Sequence, residues 1–204
     1  MRVNKFTYFS FSYIDAPFDC ICSFLKKQKT NPLDHLSIGQ YNCNHLLPQA
    51  RWELPVPQIY NPDSYKALIY AYQSDKADGC VLLSNLQDGW QSLVYVITNG
   101  MNTSSFRFQF SALTSKEPMN YFSYRNAQTK DERIVYAMFE DKWLFYEQGQ
   151  PLWFESLNDY KKRLIKSRIT PALLEKYCEK IGLQIDDDCF LNTIHTSALY
   201  EHTW

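Results

Sequence analysis

Glycine is scarce in this chain, with six among 204 residues, and no two of them stand close together. G-x-x-x-x-G-K and G-x-G-x-x-G are both absent, so the closely spaced N–H groups that cradle a nucleotide's phosphates are missing. Neither the G-x-S-x-G turn of an α/β-hydrolase nor the H-E-x-x-H pair of a zinc protease occurs. Long apolar runs are lacking too: none approaches the ~18 residues of a membrane-spanning helix. Met1-Arg2-Val3-Asn4-Lys5 leads into an alternating aromatic segment, not the apolar block of a signal peptide. A cytoplasmic protein with no membrane partner is the expectation. Charge of one sign is also missing, since 21 Lys and Arg face 22 Asp and Glu for a net charge of −1. A balanced chain has no molecule-wide field to draw in nucleic acid, which disfavours that partner.

The six cysteines (Cys20, Cys22, Cys43, Cys80, Cys178, Cys189) make no metal or redox pattern. Cys20-Ile21-Cys22 is C-x-C, not C-x-x-C, and Cys43-Asn44-His45 has no second pair to complete a zinc site. Without an export signal, reduced thiols are expected, and four of the six lie in apolar runs where a thiol behaves as a small hydrophobe. No cofactor and no metal is expected. The four histidines (His35, His45, His195, His202) fall in an irregular stretch and in the tail, and His35 and His45 have no nearby acid or nucleophile that the sequence can place beside them.

Aromatic residues are abundant instead: 16% of the chain, with 15 Tyr, 13 Phe and 5 Trp. Such side chains serve both cores and association surfaces, because Tyr and Trp carry a polar tip on a large apolar body. Many of them alternate with small polar residues, as strands require. Phe6 to Ile14, Ser105 to Phe110 and Met119 to Arg125 read this way, and Ile134 to Phe139 and Trp143 to Tyr146 read as a strand and its return across a tight reversal at Glu140-Asp141-Lys142. The last four form a meander. Lys66 to Tyr72 and Cys80 to Ser84 make a hairpin around Asp75-Lys76-Ala77-Asp78-Gly79.

Helical spacing follows Asp15, where Phe18, Ile21, Phe24 and Leu25 form a stripe, and follows Asp88, where Trp90, Leu93, Val94 and Ile97 do. Ser156-Leu157-Asn158-Asp159 is a helix-start signal, and Leu157, Tyr160, Leu164 and Ile165 predict one helix running to Arg168 with Lys162 and Lys166 outward. Thr170-Pro171 opens another helix that Gly182 closes. Strands clustered in the middle with helices at both ends predict an α+β fold: an antiparallel meander sheet with helices packed on one face. One domain over 1–204 is expected, with an irregular proline-containing insertion at about 30–63 and a C-terminal tail at about 191–204. The Arg51 to Pro55 segment of that insertion is a candidate contact surface, and the tail residues Leu199 and Tyr200 are placed either docked on the domain or loose.

Part of the chain resembles a known group. Asp88-Gly89-Trp90, then Arg133-Ile134-Val135-Tyr136-Ala137-Met138 and Asp141-Lys142-Trp143-Leu144-Phe145-Tyr146, belong to one ordered series. It continues through Gly149, Leu152, Phe154-Glu155, Tyr160-Lys161-Lys162-Arg163 and Ile165-Lys166-Ser167-Arg168. Ser84 to Gly182, about half the chain, is similar in this order to small bacterial immunity proteins encoded beside polymorphic or secreted antibacterial toxins. The resemblance implies a cytosolic protein that binds a cognate toxin and neutralises it without catalysis. Two alternatives stay open: an enzyme with a His- or carboxylate-based site in the Thr30 to Asp63 region, and a nucleic-acid-binding module using the basic face from Lys161 to Arg168. A homodimer is compatible with all three.

Strand and helix phase put Tyr124, Arg125, Lys162, Lys166, Asp186, Asp187 and Asp188 forward as partner-binding residues. The three aspartates are too close in sequence to serve one ion if extended, because successive strand side chains alternate faces. An acidic patch for a basic partner is the functional reading.

Overall fold

The computed structural model describes residues 8–28, 34–41, 64–112, 115–185, 190 and 196–203. Nine strands form one antiparallel sheet in the order β2-β9-β3-β4-β1-β5-β6-β7-β8. In chain order these are β1 (Tyr8–Ile14), β2 (His35–Gly39), β3 (Ser64–Gln73), β4 (Asp78–Ser84) and β5 (Ser104–Ser111), then β6 (Met119–Asn126), β7 (Asp131–Phe139), β8 (Trp143–Gln148) and β9 (Ser197–Thr203). Among the described residues the helices are α1 (Phe18–Lys27), α2 (Gln91–Gly100), α3 (Leu157–Tyr160) and α4 (Pro171–Lys180). The α+β class and the β5–β8 meander are as the alternation implies. The first strand takes the centre, with Phe11 opposite Leu83 of β4 on one side and Phe108 of β5 on the other.

One face of the sheet carries Phe9, Phe11, Phe108, Phe110, Phe122 and Val135 against Leu174, Tyr177 and Cys178 of α4 and against Phe154, Tyr160 and Phe190. Ring geometry is close here: Phe190 meets Phe11 edge-on at 4.9 Å, and Tyr177 meets Phe122 edge-on at 5.4 Å. The other face carries Ile14, Ile69 and Leu82 against Ile21 and Leu25 of α1 and Leu93, Val94 and Ile97 of α2. Helices therefore cover both faces, where the sequence pattern implied one. The cause is visible in Ala67-Leu68-Ile69-Tyr70 and Cys80-Val81-Leu82-Leu83, which are buried at every position. A continuous apolar strand has two faces to hide, and one helical layer cannot cover both. At the α1–α2 crossing, a side chain on Gly100 would reach within 2.3 Å of the Phe24 ring, so the helices touch because that position has none.

The single helix expected from Ser156 to Arg168 does not form. The chain makes one turn, Leu157–Tyr160, and then a separate 3₁₀ turn, Ile165–Ser167, with extended backbone at Leu164 between them. Ser156 makes no side-chain cap. Buried Tyr160 is held by the Glu155 carboxylate and by Tyr177, and the Lys162 carbonyl accepts from Nε of Arg168 instead of a helical amide. Tertiary partners outbid a short helix whose nucleation is costly. At Thr170 the reading holds: its hydroxyl accepts from the Leu173 amide, and Gly182 follows α4 at φ +91.

The tail is partly integral, since β9 is inserted between β2 and β3 with Leu199 opposite Leu68. The strand β2 lies inside the stretch expected to be an irregular insertion. Arg51 to Pro55, His45 and His195 lie outside the described residues.

Candidate functional site

Two arrangements on the β5–β8 half of the sheet concentrate charged and aromatic side chains. The first is a clip around Arg133 of β7. This side chain is 2% exposed, and its ion-pair partner Glu155 is fully buried. Nε donates to both Glu155 oxygens at 2.9 and 3.2 Å, Nη2 to Glu155 at 2.7 Å and to Glu147 at 2.8 Å. Nη1 donates to the carbonyls of Gln148 and Gly149. Glu155 in turn accepts from the Leu152 amide and the Tyr160 hydroxyl.

Burial alone would depress the Arg133 pKa, yet the hydrogen bonds it donates to Glu155 and Glu147 hold it above its ordinary value. Burial also pushes the Tyr160 and Tyr177 phenols up. Gly149 sits at φ +85, and a Cβ there would come within 1.9 Å of the Glu132 carbonyl. Every donor of the guanidinium is in use. A saturated, buried ion pair of this kind fixes the 149–160 segment onto β7 and offers nothing to a substrate.

The second arrangement lies on the opposite face. There, among the described residues, the core under α1 and α2 takes in none from β6, β7 or β8. Tyr121, Tyr136 and Tyr146 stand in register across these three strands. Their rings stack at 6.3 and 5.2 Å, both at 23°. Tyr121 is buried and Tyr146 is 41% exposed, so the row runs from the interior out to the sheet edge. Leu144, on β8 beside Tyr146, is exposed as well.

At one margin of this face Arg125 bridges β6 to α2. Its Nε donates to Asn99 at 3.0 Å, Nη2 donates to the Tyr95 hydroxyl at 3.1 Å, and its guanidinium pairs with Glu132. It also lies 4.1 Å from the centre of the Tyr95 ring. At the other margin, Arg107 of β5 lies over the Tyr121 ring at 4.4 Å.

The residues named from sequence are dispersed by this fold. Tyr124 and Arg125 are consecutive in a strand, so they face opposite sides. The Tyr124 ring packs on Phe106 at 4.8 Å on the α4 side, half-buried. Lys162 is exposed and pairs with Asp159 at 2.5 Å, and that contact holds the Asp159 carboxyl below its ordinary value. Lys166 is exposed in the 3₁₀ turn and, without a continuous helix, does not share a helical face with Lys162. Asp186, Asp187 and Asp188 lie outside the described residues. The tyrosine row went unnamed because each member belongs to a different strand. Register alone aligns them, and no spacing in the chain encodes register across two hairpins.

A third feature joins the residue before β2 to β9. The buried Asp34 carboxylate meets Nδ1 of His202 at 2.5 Å and accepts from the Tyr200 hydroxyl at 3.2 Å. An imidazole oriented by a carboxylate is a component of general-base sites and equally of structural ties. No group of three or more potential metal ligands occurs among the described residues. No helix among them is long and apolar enough to cross a membrane. The chain matches no family, no curated protein and no solved structure.

Proposed function

We propose that this protein is a non-catalytic binding protein that neutralises a cognate antibacterial toxin. The observation that carries the reading is the sheet face over β6–β8, where, among the described residues, helix contact is limited to Arg125 against α2 and where three tyrosine rings line up from buried Tyr121 to exposed Tyr146. Aromatic anchors fixed on rigid strands lose little conformational entropy on docking, and binding hot spots favour Tyr, Trp and Arg. The resemblance to immunity proteins supports the same reading. Several residues that carry it, namely Arg133, Gly149, Leu152, Glu155 and Tyr160, converge on the buried clip. They maintain the scaffold, and the surface that selects a toxin lies elsewhere.

The test is to look for a toxin gene beside this one and to co-express its product with this protein. Growth is rescued by the wild type, and a complex is recovered. Tyr136→Ala and Tyr146→Ala each weaken that complex by about tenfold or more while the purified variants keep their circular dichroism. No rescue and no complex with the wild type would falsify the reading. The Asp34–His202 pair favours the enzyme alternative. It predicts that His202→Gln abolishes protection, whereas a binding protein keeps it as long as β9 stays paired.

A further inference from the structure

Arg107 projects from β5 onto the side of the sheet that carries the tyrosine row, directly opposite Ser12 of β1. It is 7% exposed. Among the described residues its buried Nε and Nη1 groups have no hydrogen-bond acceptor, and the buried Ser12 hydroxyl has no partner either. None of the ion pairs formed among the described residues includes it. The contrast with Arg133 is direct: two buried guanidinium groups in one sheet, one with every donor used and one resting on a ring face. Desolvating a cation without supplying an anion is costly, and a tyrosine ring offsets only part of that cost. The Tyr8 phenol senses the Arg107 charge, but burial pushes its pKa up to about 12, so it is no counter-anion at neutral pH.

We propose that Arg107 and Ser12 form a socket for one carboxylate group, supplied by an acidic side chain of the protein that docks on the adjoining tyrosine row. The choice of source rests on the binding reading above. A carboxylate is favoured over a phosphate because the socket offers one cation and one hydroxyl. The other guanidinium among the described residues of this face, Arg125, is already committed to Glu132, Asn99 and Tyr95. A planar monoanion matches that donor set, and a dianion would be left under-neutralised.

The socket is tested apart from any toxin. Sodium acetate, sodium phosphate and sodium chloride are titrated at matched ionic strength into protein labelled with ¹⁵N-arginine. The Arg107 Nε–H resonance shifts and saturates with acetate, is indifferent to chloride, and the response weakens in Ser12→Ala. No saturation, an equal response to chloride, or tighter binding of phosphate overturns the socket.

Arg107→Met keeps the side chain's length and removes its charge. It raises Tm of the free protein by about 2–4 °C, and a fall instead makes Arg107 a structural residue and overturns the proposal. In the toxin complex, Arg107→Met raises Kd by about tenfold or more. Saturation by acetate with an unchanged toxin Kd overturns the protein source. If the wild type forms no toxin complex, the binding reading fails while the acetate titration still decides the socket.

Discussion

At the scale of single residues, burial separates side chains that look alike in sequence. Arg133 and Arg125 sit on neighbouring strands, yet only Arg133 is paired with a fully buried carboxylate. Glu155→Gln keeps the shape and removes the charge, leaving the buried guanidinium with the half-exposed Glu147 as its remaining carboxylate. The expected loss is about 3–5 kcal/mol, read from urea unfolding; an unchanged midpoint would contradict the clip as a scaffold element. The thiols divide the same way. Cys20 is exposed, while Cys22, Cys80 and Cys178 are buried, and burial pushes Cys22 up to about 11 and Cys80 up to about 12. Iodoacetamide applied to the native protein should label Cys20 and spare the other three, as peptide mapping would report. Trp153, 77% exposed, has almost no burial to lose, so Trp153→Ala should shift stability by less than about 0.5 kcal/mol. Composition marks these residues as aromatic, cationic or sulfur-bearing. Which of them meet is decided by partners such as Glu155, 22 positions from Arg133.

At the scale of elements, strands were easier to read than helix lengths. Alternation located β1, β5 and β6 because Phe9, Phe11, Phe108, Phe110 and Phe122 pack on one face while Ser10, Ser12, Arg107, Gln109 and Ser123 take the other, and β7 and β8 were legible as apolar runs on either side of the Glu140-Asp141-Lys142 reversal. The Ser156 segment misled because its apolar spacing serves two short turns, with Tyr160 drawn into the hydrogen bonds around Glu155. The contrast with α4 is instructive, since Thr170 makes the cap its sequence promises. Thr170→Ala should therefore cost about 1 kcal/mol, measurable by thermal or urea unfolding, whereas Ser156→Ala, with no cap bond to lose, should cost much less.

The strand β9 makes a stronger claim. It pairs with β2 on one side and β3 on the other, and its Ala198 and Tyr200 belong to the core beneath α1 and α2. A chain ending before Ser197 loses both ladders and that apolar cover. It should be insoluble or show Tm lowered by more than about 10 °C; a truncated chain as stable as the whole one would refute β9 as an interior strand.

For the molecule as a whole, buried thiols and phenols set the alkaline limit of stability. Burial raises Cys80 from 9.0 to about 12, and Cys178, Tyr160 and Tyr177 are shifted upward as well. Below about pH 9 these groups are protonated in both states, and their contribution is fully present. Above that the unfolded chain releases its thiol protons while the folded one keeps them, so stability is lost as pH climbs from about 9 towards 12, by about 1.4 kcal/mol per unit for each such group. Scans of Tm from pH 8 upward should decline beyond about 9; a flat profile to about 10.5 would argue against these buried acids. The letters by themselves settled the antiparallel α+β class, most strand positions and the lack of nucleotide-loop and zinc-protease motifs, since each depends on local spacing. Tertiary structure alone decided that helices cover both faces, that β1 and β9 enter the sheet away from their chain neighbours, and that three tyrosines align beside Arg107, which joins no ion pair among the described residues. Those outcomes follow from strand register and burial, which arise between distant segments and leave no periodic trace in either one.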